Sequence, residues 1–178
     1  MKKRLVIISD LWGKEKSEWI IHYTQILRTY FDIEYYDCSE LGEVDKSDYS
    51  EEKLHQQFID GGIERAVEKL IELEKSPITI LAFSIGGTIA WKYGIETDKI
   101  DSLFCVSSTR LRKESIRPNG KIALYFGGND LFKPQIEWLD NMKLNYEIFK
   151  NKDHLMYTKF KFAEQLCKQM IETIDPRP

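Results

Sequence analysis

A serine that directly follows a short apolar run is the residue in this sequence best placed to act as a nucleophile. Residues 78–83 are apolar and partly β-branched, Ser84 comes next, and a helical pattern begins at once. The small residues Ala82 and Gly86 stand two positions before and after the serine. This is the layout of a nucleophile elbow, with alanine in place of the first glycine of G-x-S-x-G. The strained turn would expose the hydroxyl at a helix N-terminus, where N–H groups can stabilise a reacting oxygen. A serine at a helix start can also be only a cap.

One of the three histidines follows a predicted strand. His154 comes after residues 146–149, whereas His22 and His55 lie inside helical patterns, where surface and packing roles are common. A serine nucleophile needs an imidazole within hydrogen-bond reach to take its proton. His154 is therefore the predicted general base.

The predicted orienting acid is Asp130, which follows the strand 121–126 through a Gly-Gly-Asn turn. The same turn would also suit a helix cap or an Asx turn. Asp153 is the weaker alternative, because neighbours in sequence seldom point at each other. The predicted triad is thus Ser84, Asp130 and His154, each placed just after a different strand.

Strands and helices alternate along almost the whole chain. This alternation predicts about six mostly parallel strands with helices on both faces, and ligands beyond the carboxyl ends of the strands. The predicted strands are 5–9, 33–36, 78–83, 102–106, 121–126 and 146–149. The predicted helices are 17–30 after a Ser17 cap, 51–74 with a break at 61–62, 86–93 ending at Gly94, 132–142, and 157–174 with Phe160, Phe162, Ala163, Leu166 and Met170 buried. The tail 175–178 is expected to fray.

The chain order serine, aspartate, histidine is the order found in α/β-hydrolases, and here the sequence resembles that family. The resemblance rests on residues 82–87, 127–134 and 151–154 and spans nearly the full length. It implies a minimal α/β-hydrolase fold that lacks the family's first two strands, as a single domain over 1–178. It also implies no cap domain, since the twelve residues between Ser108 and Lys121 are too few for a helical lid.

The same resemblance implies an oxyanion hole made by the backbone N–H groups of Leu11 and Ile85. The loop after the first strand reads Ser9-Asp10-Leu11-Trp12-Gly13, so Ser9-Asp10 stands where the family often has His-Gly. An ionised Asp10 beside a developing oxyanion would repel it. Asp10 therefore either points away, or serves another task such as orienting a substrate amine, or the activity is weak.

The implied function is hydrolysis of a small-molecule carboxylic ester or thioester through an acyl-enzyme, with no metal or organic cofactor. Trp12, Phe132, Leu155 and Met156 are candidate walls of the substrate site, although each could be ordinary packing. The basic stretch 109–113 is either a solvated loop or a contact for an anionic substrate.

Two other functions compete with hydrolysis. A catalytically weak or inactive hydrolase-like binding protein is favoured by Asp10. A nucleotide- or flavin-binding domain is disfavoured, because the loop after the first strand has no glycine-rich phosphate motif.

Composition excludes several partners and classes. The net charge of −3 is spread without a basic stripe, which argues against nucleic acid, and no apolar run is long enough to span a bilayer. The basic start is followed by too short an apolar run for a signal peptide. Three scattered cysteines suggest free thiols in a reducing compartment, so the predicted location is the cytoplasm. The acyl group, leaving group and oligomeric state are not predicted.

Overall fold

A parallel β-sheet forms the centre of the molecule in the computed structural model, which describes residues 2–174. Its six strands have the order β2-β1-β3-β4-β5-β6, and every neighbouring pair is parallel. All residues of β3 are buried, as expected for a strand covered on both faces. The strands are β1 Lys3–Ile8, β2 Phe31–Tyr36, β3 Ile78–Phe83, β4 Ile100–Val106, β5 Lys121–Gly127 and β6 Asn145–Phe149.

Helices cover both faces of the sheet. The helices are α1 Ile21–Leu27, α2 Cys38–Leu41, α3 Glu51–Gln57, α4 Ile63–Leu73, α5 Ile85–Thr97, α6 Ile136–Asn141 and α7 Phe160–Ile174. Leu5 and Ile7 of β1 pack with residues of α1 and α7, whereas Val6 and Ile8 pack with residues of α4 and α5. The period of two along the strand thus separates two apolar cores.

The chain reverses its direction across the sheet beside β1. The connection after β1 leads to β2 on one side, and the chain then returns to β3 on the other side. Ligands of open parallel sheets bind outside the carboxyl ends of the strands at such a switch point. Residues 9–13 and Ser84 leave the sheet there, since β1 and β3 pair through Ile8 and Ala82 at their ends.

Three of the predicted helices start later than expected. The helix predicted at 157–174 begins at Phe160, because His154–Thr158 is a separate 3₁₀ helix. Residues 17–30 are not one helix: the short 3₁₀ turns Gly13–Lys16 and Glu18–Ile20 precede α1. Ser17 is not its cap, because its hydroxyl donates to the carbonyl of Lys14. The helix predicted at 132–142 is shorter, and α6 begins only after Pro134.

The predicted break at 61–62 is confirmed, because Gly61 has φ 103° between α3 and α4. Gly94, in contrast, does not end α5, which continues to Thr97 and closes on Asp98 at φ 56°. A Cβ on Gly94 would lie 2.7 Å from side-chain atoms of Ile100 and Pro118, so glycine is needed there for close packing.

The remaining differences concern single residues and one short helix. Phe160 starts α7 and is exposed, unlike the other four predicted core residues of that helix. Helix α2 was not predicted; the Asp37 carboxylate caps it by accepting the N–H groups of Ser39 and Glu40. Residues 175–178, expected to fray, lie outside the described residues. Across residues 2–174, every helix is too short or too polar to cross a membrane.

Candidate active site

Ser84 occupies a strained turn between β3 and α5. Its φ of 50° and ψ of −119° lie outside the regions that residues with a side chain prefer. Its N–H donates to the carbonyl of Val106, which ties the turn to the end of β4. Gly86 has to be small, because a Cβ there would lie 2.3 Å from the carbonyl oxygen of Ser9. The turn thus has the backbone of a nucleophile elbow, held by its neighbours against a strain of about 1–3 kcal/mol.

The structure brings the three predicted catalytic side chains together. The Ser84 Oγ lies 3.1 Å from the Nε2 of His154. The Nδ1 of the same imidazole lies 2.7 Å from the Oδ2 of Asp130. The three predicted catalytic side chains therefore form one continuous hydrogen-bonded series, although they are 70 and 24 residues apart in sequence.

Asp130, the predicted orienting acid, is held in its ionised form. Burial alone would raise the pKa of Asp130, but hydrogen bonds from His154 and from the N–H of Phe132 lower it below its usual value. The alternative acid, Asp153, instead accepts a hydrogen bond from the N–H of Leu155 and so caps the turn that begins with His154. An ionised Asp130 can orient the imidazole and stabilise its cation.

The loop after β1 is rigidly held beside the elbow. The Asp10 carbonyl accepts the N–H of Gly13, and the Leu11 carbonyl accepts the Ser39 hydroxyl. The Tyr49 hydroxyl donates to the carbonyl of Trp12. Outside the helices and strands of residues 2–174, no backbone hydrogen bond has the N–H of Leu11 or Ile85 as its donor, and Ile85, as the first residue of α5, has no acceptor within the helix. Two unpaired donors thus lie on the segments that the sequence resemblance assigns to the oxyanion hole.

No model of a known protein family matches this sequence, and no curated protein matches it. Solved structures do. Mouse alpha/beta hydrolase domain-containing protein 10 gives a TM-score of 0.69 at 12% identity, over 97% of this chain and 90% of that chain. A lidless serine hydrolase from Xanthomonas campestris gives 0.66 at 11% identity, over 100% of this chain and 85% of that chain. The chain has the α/β-hydrolase fold. Est1E from Butyrivibrio proteoclasticus, solved with ferulic acid bound, gives 0.69 at 12% identity, over 97% of this chain and 89% of that chain.

At identities this low, the likeness shows the α/β-hydrolase fold and leaves the activity to be argued from the site itself. Within the described residues this version of the fold carries no cap domain. The connection from β4 to β5 contains only the 3₁₀ helix Thr109–Lys113. The predicted fold class, with six parallel strands and no cap, is therefore confirmed.

Asp10 is the departure from the usual α/β-hydrolase pattern, and the structure shows where it points. The residue is only 1% exposed. Its Oδ2 accepts the Tyr157 hydroxyl at 2.9 Å, and its Oδ1 accepts the N–H of Trp12 at 3.0 Å. Burial raises the pKa of Asp10 to about 6, against the lowering effect of these hydrogen bonds. A carboxylate so enclosed is not available to orient a substrate amine.

Three further residues that support the site were not found from the sequence. The Ser107 hydroxyl donates to the carbonyl of His154 at 2.7 Å, from a residue with φ 52°. Ser108 packs so closely on the elbow helix that a Cβ on Gly87 would lie 1.8 Å from its Oγ. Tyr157, three residues after His154, packs edge-on to its imidazole at 6.1 Å between ring centroids. No sequence motif marks these contacts.

The predicted wall residues have different surroundings. Phe132 and Leu155 are 65% and 48% exposed and neighbour Asp130 and His154 in sequence, so both are available to a ligand. Trp12 is half-buried and carries the Lys16 ammonium 3.9 Å from its ring centroid. Met156 is 1% exposed and belongs to the core, which excludes it as a wall.

The basic stretch 109–113 is joined to the loop of the acid. The Arg112 guanidinium donates to the carbonyl of Phe132 and lies 5.7 Å from its ring centroid. Burial lowers the pKa of His55 on α3, and the positive charge of this segment lowers it further. Within residues 2–174, no group of three or more His, Cys, Asp or Glu side chains is arranged to hold a metal ion. Cys38, Cys105 and Cys167 are free and buried.

Proposed function

We propose that this protein is a serine hydrolase that cleaves a carboxylic ester or thioester of a small molecule through an acyl-enzyme. The observation that carries the proposal is the hydrogen-bonded chain from Ser84 through His154 to Asp130, with the serine on a strained elbow. A serine that served only as a cap would need neither the imidazole nor the positive φ. The α/β-hydrolase fold of the chain agrees with this reading but does not by itself supply an activity.

In the proposed reaction, Ser84 attacks the carbonyl carbon of the substrate while His154 takes the hydroxyl proton. Asp130 holds the imidazole in the tautomer that has Nε2 free to accept, and it stabilises the imidazolium. The N–H groups of Leu11 and Ile85 donate to the oxyanion of the tetrahedral intermediate. His154 then protonates the leaving group, and a water activated by the same imidazole releases the acid.

The test is labelling of the folded protein with a neutral fluorophosphonate, followed by mass spectrometry of the modified peptide. Labelling is expected at Ser84 and is expected to disappear in Ser84→Ala. Aryl esters and thioesters of increasing chain length, assayed with wild type and Ser84→Ala, would identify the acyl preference. If Ser84 is not labelled and Ser84→Ala matches wild type on every ester, the protein is instead a hydrolase-like binding protein.

A further inference from the structure

The buried carboxylate of Asp10 connects two loops, and the proposed reaction depends on the relative position of these loops. Asp10 lies in the loop that carries the Leu11 N–H, and Tyr157 lies in the 3₁₀ turn that begins with His154. The Tyr157 hydroxyl donates to Asp10 across 147 residues of sequence. Both residues are only 1% exposed, so water does not compete for this bond.

On the oxyanion side, the carboxylate fixes the peptide groups around Leu11. The Oδ1 of Asp10 accepts the N–H of Trp12, two residues further on, and so closes a turn around Leu11. The Ser39 hydroxyl holds the carbonyl of Leu11 from outside the loop. The Leu11 N–H belongs to the Asp10–Leu11 peptide, whose carbonyl accepts the N–H of Gly13 and the hydroxyl of Ser9. The Asp10 carboxylate fixes the next peptide, so Leu11 is held on both sides.

On the histidine side, Tyr157 is locked from several directions. Its ring packs against Trp19 and Phe83, and its backbone carbonyl accepts the Tyr23 hydroxyl at 2.7 Å. Its ring and the imidazole of His154 form a T-shaped contact. Because the Tyr157 ring is held on these sides and its hydroxyl bonds Asp10, a shift of the Asp10 carboxylate would change how the ring packs against the imidazole of His154.

Asp10 is buried without an ion pair to a lysine or arginine side chain of residues 2–174. Burial raises its pKa, the Tyr157 hydroxyl, the Trp12 N–H and His154 lower it, and Asp37 raises it. Burying a carboxyl group without an ion-pair partner costs free energy. This protein nevertheless places a buried carboxyl group where the two loops meet. Buried titratable groups in such a place are candidates for a functional role.

We propose that Asp10 is a positioning residue that, through its hydrogen bonds to Trp12 and Tyr157, sets the Leu11 N–H and the His154 ring in one fixed geometry around Ser84. This inference rests on the proposed function and deepens it. Asp10 does not touch the substrate. It acts by keeping the oxyanion donor and the base at the separation that the tetrahedral intermediate requires.

The test compares kcat and KM for an aryl ester, and the rate of fluorophosphonate labelling of Ser84, among variants at this junction. Asp10→Ala removes both acceptors and is expected to lower kcat and the labelling rate by about 100-fold while KM changes little. Asp10→Asn keeps an acceptor for the Trp12 N–H and is expected to restore the rate to within about 10-fold of wild type. Tyr157→Phe breaks only the link to the histidine turn and is expected to cost about 10-fold in kcat.

Tyr93→Phe is the matched control, because it also removes a buried hydroxyl. That hydroxyl donates to the carbonyl of Glu74, which precedes the amino end of β3 and so lies away from Ser84. The variant is expected to leave kcat unchanged. Cooperative unfolding and circular dichroism identify any variant that fails to fold, and Tyr157→Phe and Asp10→Asn keep the test valid if Asp10→Ala does not fold.

A folded Asp10→Ala or Tyr157→Phe with the kcat of wild type would overturn the inference, as would a loss confined to KM. An Asp10→Asn variant as impaired as Asp10→Ala would also overturn it. Failure of the proposed function looks different, since wild-type Ser84 would then resist the probe before any variant is compared.

Discussion

The stability of Asp10→Asn relative to wild type is predicted to rise as the pH rises from 4 to 8. The wild-type carboxyl group is buried between Tyr157 and the Trp12 N–H, and burial raises its pKa to about 6, against 3.8 for an unperturbed aspartate. The folded state therefore binds the proton more tightly than the unfolded chain does. Stability contributed by the protonated group is fully present below about pH 4 and is lost as the pH rises through about 6.

The size of the effect follows from the same pKa values. A difference of about 2 pKa units, at 1.36 kcal/mol per unit, corresponds to about 3 kcal/mol of unfolding free energy lost between pH 4 and pH 8. Asparagine cannot ionise, so the variant does not suffer this loss. The unfolding free energy of the variant minus that of wild type should therefore increase by about 3 kcal/mol over that range, which corresponds to about 6–12 °C in Tm for a chain of this size.

The assay is urea unfolding of both proteins at several values between pH 4 and pH 8, with the difference in unfolding free energy plotted against pH. Titrating groups that do not interact with Asp10 are common to the two proteins and cancel in the difference. Asp101→Asn, which removes an exposed carboxylate on β4, is the matched control for the loss of a carboxylate that is not buried. A flat plot for Asp10→Asn, or one that increasingly favours wild type as the pH rises, would refute the reasoning.

Four other changes have defined outcomes. Ser84→Gly should remove the strain of φ 50° and raise the unfolding free energy by about 1 kcal/mol while abolishing probe labelling, and equal or lower stability in chemical denaturation would contradict this. Gly86→Ala should destabilise by about 2 kcal/mol or more, since its Cβ would meet the Ser9 carbonyl, and an unchanged urea midpoint would show that the contact relaxes freely. Asp130→Asn should lower kcat by about 10⁴-fold with the fold intact, because the imidazole loses its orienting anion; a smaller than 10-fold loss would exclude the proposed role. A thiol reagent should modify the native protein slowly and the urea-unfolded protein at all three cysteines, because burial raises the pKa of Cys38, Cys105 and Cys167.

The layered fold and the approximate position of every strand could be predicted from the sequence. Buried parallel strands are continuous apolar runs, and this signal is local, so each of the six runs indicated its own strand. Helix ends were less predictable, because they depend on contacts with distant residues. Glycine commonly ends helices, for example, but Gly94 lies inside α5 and is required there for close packing against Ile100 and Pro118.

The sequence by itself determined which chemistry-bearing residues follow strands, and therefore that Ser84, Asp130 and His154 belong to one edge of the sheet. Parallel strands point their carboxyl ends the same way, so this much needs no coordinates. Only the tertiary structure decided that the three side chains lie within hydrogen-bond distance, and that Asp10 turns inward to Tyr157 instead of toward the site. The reason is that the direction of a side chain on a loop is set by the neighbours that bury it, and those neighbours come from distant parts of the chain.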